Sequence, residues 1–232
     1  MSDSFTFRRF KIYQDRCAMK VGTDGVLIGA WARGGHHVLD IGCGTGLIAL
    51  MMAQRYPEAV VDGVEIQPDA ARQAAENVAA SDFSRRVHVH AVALQQFVPS
   101  RRYDAIVSNP PFFLHSLKNP DASRTMARHA DSLTFTDIFR FAAQWLEPHG
   151  ELSIVLPAEV LDAVVADAYL SGFCLSRKVL VKTTLRKPYR RCLLAFVKAR
   201  EGAMQTAEHH LQEPDGSRSA WYENLTKDFY VK

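Results

Sequence analysis

Three short stretches of the sequence bring together residue types suited to binding and chemistry. The first is Asp40-Ile41-Gly42-Cys43-Gly44-Thr45-Gly46, which follows an apolar run. Glycines at alternate positions permit a tight turn with positive φ and let a ligand come close to the backbone. The turn leads into a helical stretch whose first N–H groups would face that ligand. The second is Glu65, 19 residues beyond Gly46, where a carboxylate can accept hydrogen bonds from both hydroxyls of a ribose. The third is Ser108-Asn109-Pro110-Pro111-Phe112-Phe113. Its prolines stiffen the chain and remove donors, leaving carbonyls free. The Asn109 amide oxygen and the Pro110 carbonyl can then accept the two N–H bonds of an exocyclic amine, such as that of adenine. This localises a lone pair otherwise delocalised into the ring, by positioning and preorganised dipoles. Phe112 adds a face on which a planar base can stack.

Each stretch needs a strand to aim it, and the pattern supplies them. Apolar strands are expected at His37–Ile41, Ala59–Glu65, Val87–Val92, Tyr103–Ser108 and Glu151–Leu156. Two later ones, Leu175–Val181 and Cys192–Val197, flank a basic turn. Helical periodicity covers residues 23–33, opened by Thr23 or Asp24 as cap, then Thr45–Tyr56, Pro68–Ala80, Phe135–Leu146 and Ala158–Leu170. A long loop runs from Asn109 to about Ser132. Strands apolar on both faces, alternating with helices, predict an α/β fold: a doubly wound, mostly parallel, seven-stranded sheet. In such sheets ligands bind at the carboxyl ends of the strands, where all three stretches fall. The expected organisation is one domain over 1–232, with an amino-terminal arm or hairpin (about 1–21) and a carboxy-terminal tail (about 201–232).

The chain has 232 residues, 47% hydrophobic and 23% charged, enough apolar material for a core and too much for disorder. The net charge of +3 is mild, but its distribution is uneven. From Ala168 to Arg200 there is no Asp or Glu, while Arg177, Lys178, Lys182, Arg186, Lys187, Arg190, Arg191, Lys198 and Arg200 all lie there. Arg8, Arg9 and Lys11 form a second basic group. Clusters of this kind read either as a footprint for phosphates or as a solvated face. Cys17, Cys43, Cys174 and Cys192 are scattered without a C-x-x-C pair, and the histidines show no ligand spacing. Neither a metal site nor a disulfide framework is expected. The start lacks the apolar segment of a signal peptide, and no run is long enough to span a membrane. A cytoplasmic protein with reduced thiols is the expectation.

A dinucleotide fingerprint, G-x-G-x-x-G, would put its third glycine on Leu47, so that register fails. The observed D-x-G-x-G-x-G resembles motif I of class I S-adenosylmethionine-dependent methyltransferases, a Rossmann-like family, with Glu65 as their ribose-binding acid. Asn109-Pro110-Pro111-Phe112 resembles the [D/N/S]-P-P-[Y/F/W] motif of the amino-methylating members. Gln14 through Gly25, Gly29-Ala30-Trp31 and Asn224 through Tyr230 narrow the resemblance, from about Phe7 to the end, to the bacterial valine-tRNA adenine N(6)-methyltransferases. That resemblance implies S-adenosylmethionine as cofactor and tRNA as substrate. It places Lys20, Thr23 and Asp24 at the methionine end of the cofactor and Asp40, Gly42, Gly44, Gly46 and Glu65 along the rest. Arg186, Lys187, Arg190 and Arg191, with Arg8, Arg9 and Lys11, would meet phosphates. The family's acid after the third strand is missing, Ala91-Val92-Ala93-Leu94-Gln95 standing there instead, so backbone groups or Gln95 would have to read the cofactor adenine. Alternatives are a ribosomal-RNA guanine N(2)-methyltransferase, a release-factor glutamine methyltransferase, and a catalytically silent RNA-binding module.

Overall fold

A computed structural model describes residues 3–17, 19–111 and 133–231. Near the start, β1 (Ser4–Thr6) and β2 (Lys11–Tyr13) pair as a small antiparallel hairpin. Helix α1 (Thr23–Trp31) follows. Its cap is Gly22, in extended conformation, so Thr23 and Asp24 are the first two helical residues and neither caps it.

An alternation of strand and helix then begins: β3 (His37–Ile41), α2 (Leu47–Arg55), β4 (Val60–Glu65), α3 (Pro68–Ala79), β5 (Val87–Ala91) and β6 (Tyr103–Ser108). Beyond residues 112–132 come α4 (Phe135–Trp145), β7 (Leu146–Pro157), α5 (Leu161–Leu170), β8 (Cys174–Thr184), β9 (Tyr189–Val197), β10 (Gln205–Gln212) and α6 (Ala220–Thr226). The main sheet has the order β10-β8-β9-β7-β6-β3-β4-β5. Strands β3 to β7 run parallel, and β9 is antiparallel to both β7 and β8. Among the described residues the sheet thus has eight strands rather than seven. The extra one, β10, is a polar edge strand (Gln-Thr-Ala-Glu-His-His-Leu-Gln) beside β8, whose composition conceals it from an apolar-pattern search.

Alternate residues of each strand face opposite sides, and two apolar layers result. Val38, Val61, Ala105 and Val107 pack with α1, α2, Val78 of α3, the hairpin residues Phe7, Phe10 and Ile12, and Tyr222 of α6. Leu39, Ile41, Val64, Ile106 and Ile154 pack with Ile138, Phe139, Val164 and Ala168 of α4 and α5. The chain runs outward from β3 to β4 and β5, then returns to the other flank of β3 as β6. That reversal opens a crevice between the carboxyl ends of β3 and β6, the switch point where doubly wound sheets bind ligands. Register fixes what meets there: Ile41 pairs with Ser108, and Ser108 Oγ donates to the Ile41 carbonyl at 2.9 Å. The glycine turn and Asn109 are therefore adjacent although 63 residues separate Gly46 from Asn109.

Candidate active site

Gly42, Gly44 and Gly46 have φ of 70°, 55° and 82°, values L side chains rarely adopt, and every described non-glycine residue has negative φ. The alternate glycines of the sequence are thus the alternate left-handed corners of one turn. Their surroundings differ. A Cβ on Gly42 would meet nothing within 4 Å, because this corner opens into a cleft; one on Gly46 would touch Ala74 of α3 at 3.4 Å. Gly46 accordingly caps α2 and lets it approach α3, without lining the cleft.

The cleft, about 220 Å³, is lined by Met19 to Gly25, Gly42 to Thr45, Leu47, Ile48, Asn109 and Arg191. Lys20, Thr23 and Asp24 are among the lining residues. Glu65, at the end of β4, is 8% exposed. Its Oε2 accepts from the Gly44 N–H at 2.9 Å and its Oε1 from the Gln67 N–H at 2.8 Å. Each oxygen keeps a second acceptor site for a hydroxyl. Asp40 behaves differently. It is fully buried beneath the turn, and its Oδ2 accepts the Ala49 N–H in the first turn of α2 at 3.0 Å. Burial, with the charge of Glu65 adding to it, pushes its carboxyl up to about 8. Asp40 shapes the turn from below rather than lining the cleft. Gln95 turns its Nε2 to Asp137 at 3.2 Å.

On the opposite wall, Asn109 follows β6 directly. Its Nδ2 donates to the Met19 Sδ at 3.8 Å, which leaves Oδ1 as the acceptor of that side chain. Pro110 is buried and Pro111 exposed, while Phe112, the stacking candidate, lies outside the described residues, as do His115, Lys118, Arg124, Arg128 and His129.

Two residues that the sequence pattern had not singled out hold the strap between the hairpin and α1 across this turn. Gln73 and Asn77, one helical turn apart on α3, are wholly buried. Asn77 accepts from Tyr13 N–H through Oδ1 and donates through Nδ2 to the carbonyls of Tyr13 and Thr45, each at 2.9 Å. Gln73 accepts from Arg16 N–H at 3.1 Å and donates to Asp15 Oδ1 at 2.7 Å. The strap is thereby tied to the glycine turn itself. Their signal in the sequence was a pair of amides four apart on the alanine-rich face of a helix, a position that only internal partners make tolerable.

The basic residues divide. Arg186, Lys187 and Arg190 are exposed in and beside the β8–β9 turn. Pro157, the last residue of β7, pairs with Arg191 near the start of β9, so this turn stands at the cleft end of the sheet. Arg191 itself points inward: it lines the cleft and forms an ion pair with Asp24. Arg8, Arg9 and Lys11 lie elsewhere. Arg8 and Arg9 border a separate hollow with Gln54, Arg55 and Tyr56, at the end of α2 remote from the glycine turn. Arg8 Nε donates to the Tyr230 carbonyl at 2.7 Å, the Arg9 guanidinium lies 5.0 Å from the Phe83 ring centroid, and Lys11 Nζ lies 4.6 Å from that of Tyr13. The two basic groups do not form one surface at the cleft. Among the described residues no cluster of three or more His, Cys, Asp or Glu is placed to hold a metal ion, and no helix is long and apolar enough to cross a membrane.

Residues 22–166, which hold the glycine turn, Glu65 and the Asn-Pro-Pro sequence, match the family described as the methyltransferase small domain. The chain belongs to that family. It is 43% identical, over 99% of its length and 94% of the relative's, to the tRNA1(Val) (adenine(37)-N6)-methyltransferase of Edwardsiella ictaluri. It is 42% identical to the protein of the same name from Parabacteroides distasonis, over 98% of each chain. Among solved structures, a predicted O-methyltransferase from Agrobacterium tumefaciens superposes with a TM-score of 0.70 at 18% identity, covering 90% of this chain and 98% of that one, a likeness of fold. The cleft suits S-adenosylmethionine, the family's methyl donor: it has an open corner at Gly42 and both charge signs at Asp24 and Arg191, and the Glu65 carboxylate accepts the Gly44 N–H of its turn.

Proposed function

We propose that the enzyme methylates the exocyclic N6 of adenine 37 in tRNA1(Val), using S-adenosylmethionine, the reaction for which its relatives are named. A tRNA substrate puts it in the cytoplasm. The observation that carries the chemistry is the position of Asn109: it lines the cleft together with the glycine turn, directly after the β6 residue that the β3–β6 register sets beside Ile41.

When bound, S-adenosylmethionine supplies a methyl group on a positively charged sulfur, electrophilic enough to need no metal. The chain's own part is placement. The glycine turn and Glu65 hold the nucleoside end, and Lys20, Thr23 and Asp24 the methionine end. Asn109 Oδ1 and the Pro110 carbonyl accept from the two N–H bonds of the target amine and turn its lone pair toward the methyl carbon. Phe112, next in the motif, is assigned the stacking face for the extruded base. Exposed Arg186, Lys187 and Arg190 at the rim contact backbone phosphates.

Labelled cofactor offered with tRNA, ribosomal RNA and release factor in parallel tests this reading. Label is expected in tRNA alone, and mass spectrometry of the digest should show N(6)-methyladenosine. Methylguanosine in ribosomal RNA, or methylglutamine in protein, would replace it.

A further inference from the structure

Arg191 was expected among the phosphate contacts, yet it is the one cation of the basic turn that faces into the cofactor cleft. It stands on β9, opposite the last residue of β7, and its guanidinium pairs with Asp24 in the first turn of α1, 167 residues away in sequence. Both side chains are about one-third exposed, 31% and 32%, so the pair sits at the mouth of the cleft rather than in the core. Around it the cleft measures only about 220 Å³, below the ~300–1,000 Å³ usual for sites of drug-sized ligands.

We propose that Arg191 is a cofactor-positioning and selectivity residue: it binds the methionine carboxylate of S-adenosylmethionine, while Asp24, released from it, takes the adjacent ammonium. The inference rests on the cofactor reading above and specifies how one end of that cofactor is recognised. An amino-acid zwitterion carries one anion and one cation a few ångströms apart, the complement of the Asp24–Arg191 pair. Its entry exchanges one internal ion pair for two intermolecular ones, so neither protein charge is stranded in the partly desolvated cleft. Opening the pair also enlarges the cleft. A guanidinium suits this task because its planar fork matches a carboxylate with two parallel hydrogen bonds. Lys20, also on the cleft wall, is a single-point donor and cannot reproduce that geometry.

The test compares S-adenosylmethionine with its decarboxylated analogue, which keeps adenosine, sulfonium and ammonium. Binding of each to the full-length protein is measured by calorimetry, and tRNA binding separately. Wild type should prefer the carboxylate-bearing cofactor by about tenfold or more, the effect of hydrogen bonds to a charged group. Arg191→Gln should reduce that preference to about twofold by weakening only the carboxylate-bearing ligand, with Arg191→Lys intermediate. Glu65→Ala should weaken both cofactors alike, since both contain the ribose. Affinity for tRNA should be unchanged in Arg191→Gln. Equal binding of the two cofactors by wild type, which requires no variant to fold, overturns the proposal. So does an Arg191→Gln protein with unaltered cofactor selectivity and weakened tRNA binding, which returns Arg191 to the phosphates. Absence of S-adenosylmethionine binding by wild type would instead fail the cofactor reading beneath it.

Discussion

At the carboxyl end of the parallel strands, Asn109, Asp24, Arg191 and the glycine turn surround a cleft, and Arg186, Lys187 and Arg190 rim it in solvent. At the amino end the same residue types are spent on the protein itself. Arg86 donates to the carbonyls of Ala53, Tyr56 and Ala59, at 2.9, 3.2 and 2.6 Å. Arg55 donates to Gly29 and Ala32, at 3.0 and 2.6 Å, and burial lowers its pKa. Arg8, Arg9 and Lys11, although exposed, each touch the protein's own surface, at one carbonyl and two ring faces. The contrast teaches that a run of cations is a count of charge, while availability depends on which backbone carbonyls and rings lie within reach. Groups at the first end should govern activity, and groups at the second, stability.

The sharpest test sets one residue from each end against the other. Asn109→Ala should lower the single-turnover methylation rate on the order of a hundredfold, as for loss of one preorganised contact to the reacting group. Its thermal stability and cofactor affinity should stay near wild type. Arg86→Ala should do the reverse. It strips three carbonyls of a charged donor, costing about 1–3 kcal/mol. That corresponds to a fall in Tm of roughly 2–4 °C per kcal/mol for a chain of this size, with the rate per folded molecule retained. Rate loss in Arg86→Ala at full stability would erase the division.

A smaller effect separates the two basic clusters. Each phosphate neutralised in a nucleic-acid complex adds close to one unit to the slope of log affinity against log salt. Replacing Arg186 and Arg190 together by Gln should weaken tRNA binding and flatten that slope by roughly one to two units. Replacing Arg8 and Arg9, which border a hollow away from the cleft, should leave the slope as it was. Equal flattening by both pairs would mean that the tRNA reaches round to the far end of α2.

How much of this was legible in the sequence follows the same division. The glycine turn could be read because its demand is local: three left-handed corners at alternate positions admit little besides glycine. The places of Glu65 and Asn109 at strand ends could be read because the ends of β4 and β6 are fixed by short apolar runs. The pairing of Arg191 with Asp24 could not, since it depends on β9 folding back beside β7, and a sequence displays a charge without its partner. Gln73 and Asn77 were not singled out, because their partners in the strap lie far away in sequence. β10 was hidden by its polarity, and Asp40 was read as a cofactor contact because it belongs to the motif, although it lies under the turn.

Asp40 therefore offers a last way to sharpen the comparison, since it sits at the cleft end but is buried like the groups of the other end. Its carboxyl titrates near pH 8 in the folded protein, against a usual value of 3.8, because burial disfavours the charged form and Glu65 adds to that. The folded chain thus binds more protons here than the unfolded chain between those two pH values. The stability linked to this group is complete below about pH 4 and is lost as the pH rises through 8. One carboxylate oxygen accepts the Ala49 N–H, and the other has no hydrogen-bond partner among the described residues. Asparagine keeps an acceptor for Ala49 and cannot ionise. Asp40→Asn should accordingly melt above wild type at pH 9, by at least the roughly 2–4 °C that 1 kcal/mol represents in a chain this long. The gap should close, or reverse, toward pH 5, where wild-type Asp40 is protonated. Melting curves recorded across that range decide it. Parallel pH profiles for the two proteins would mean that Asp40 is ionised in the fold, with a partner for its second oxygen, and belongs with the open groups of the cleft after all.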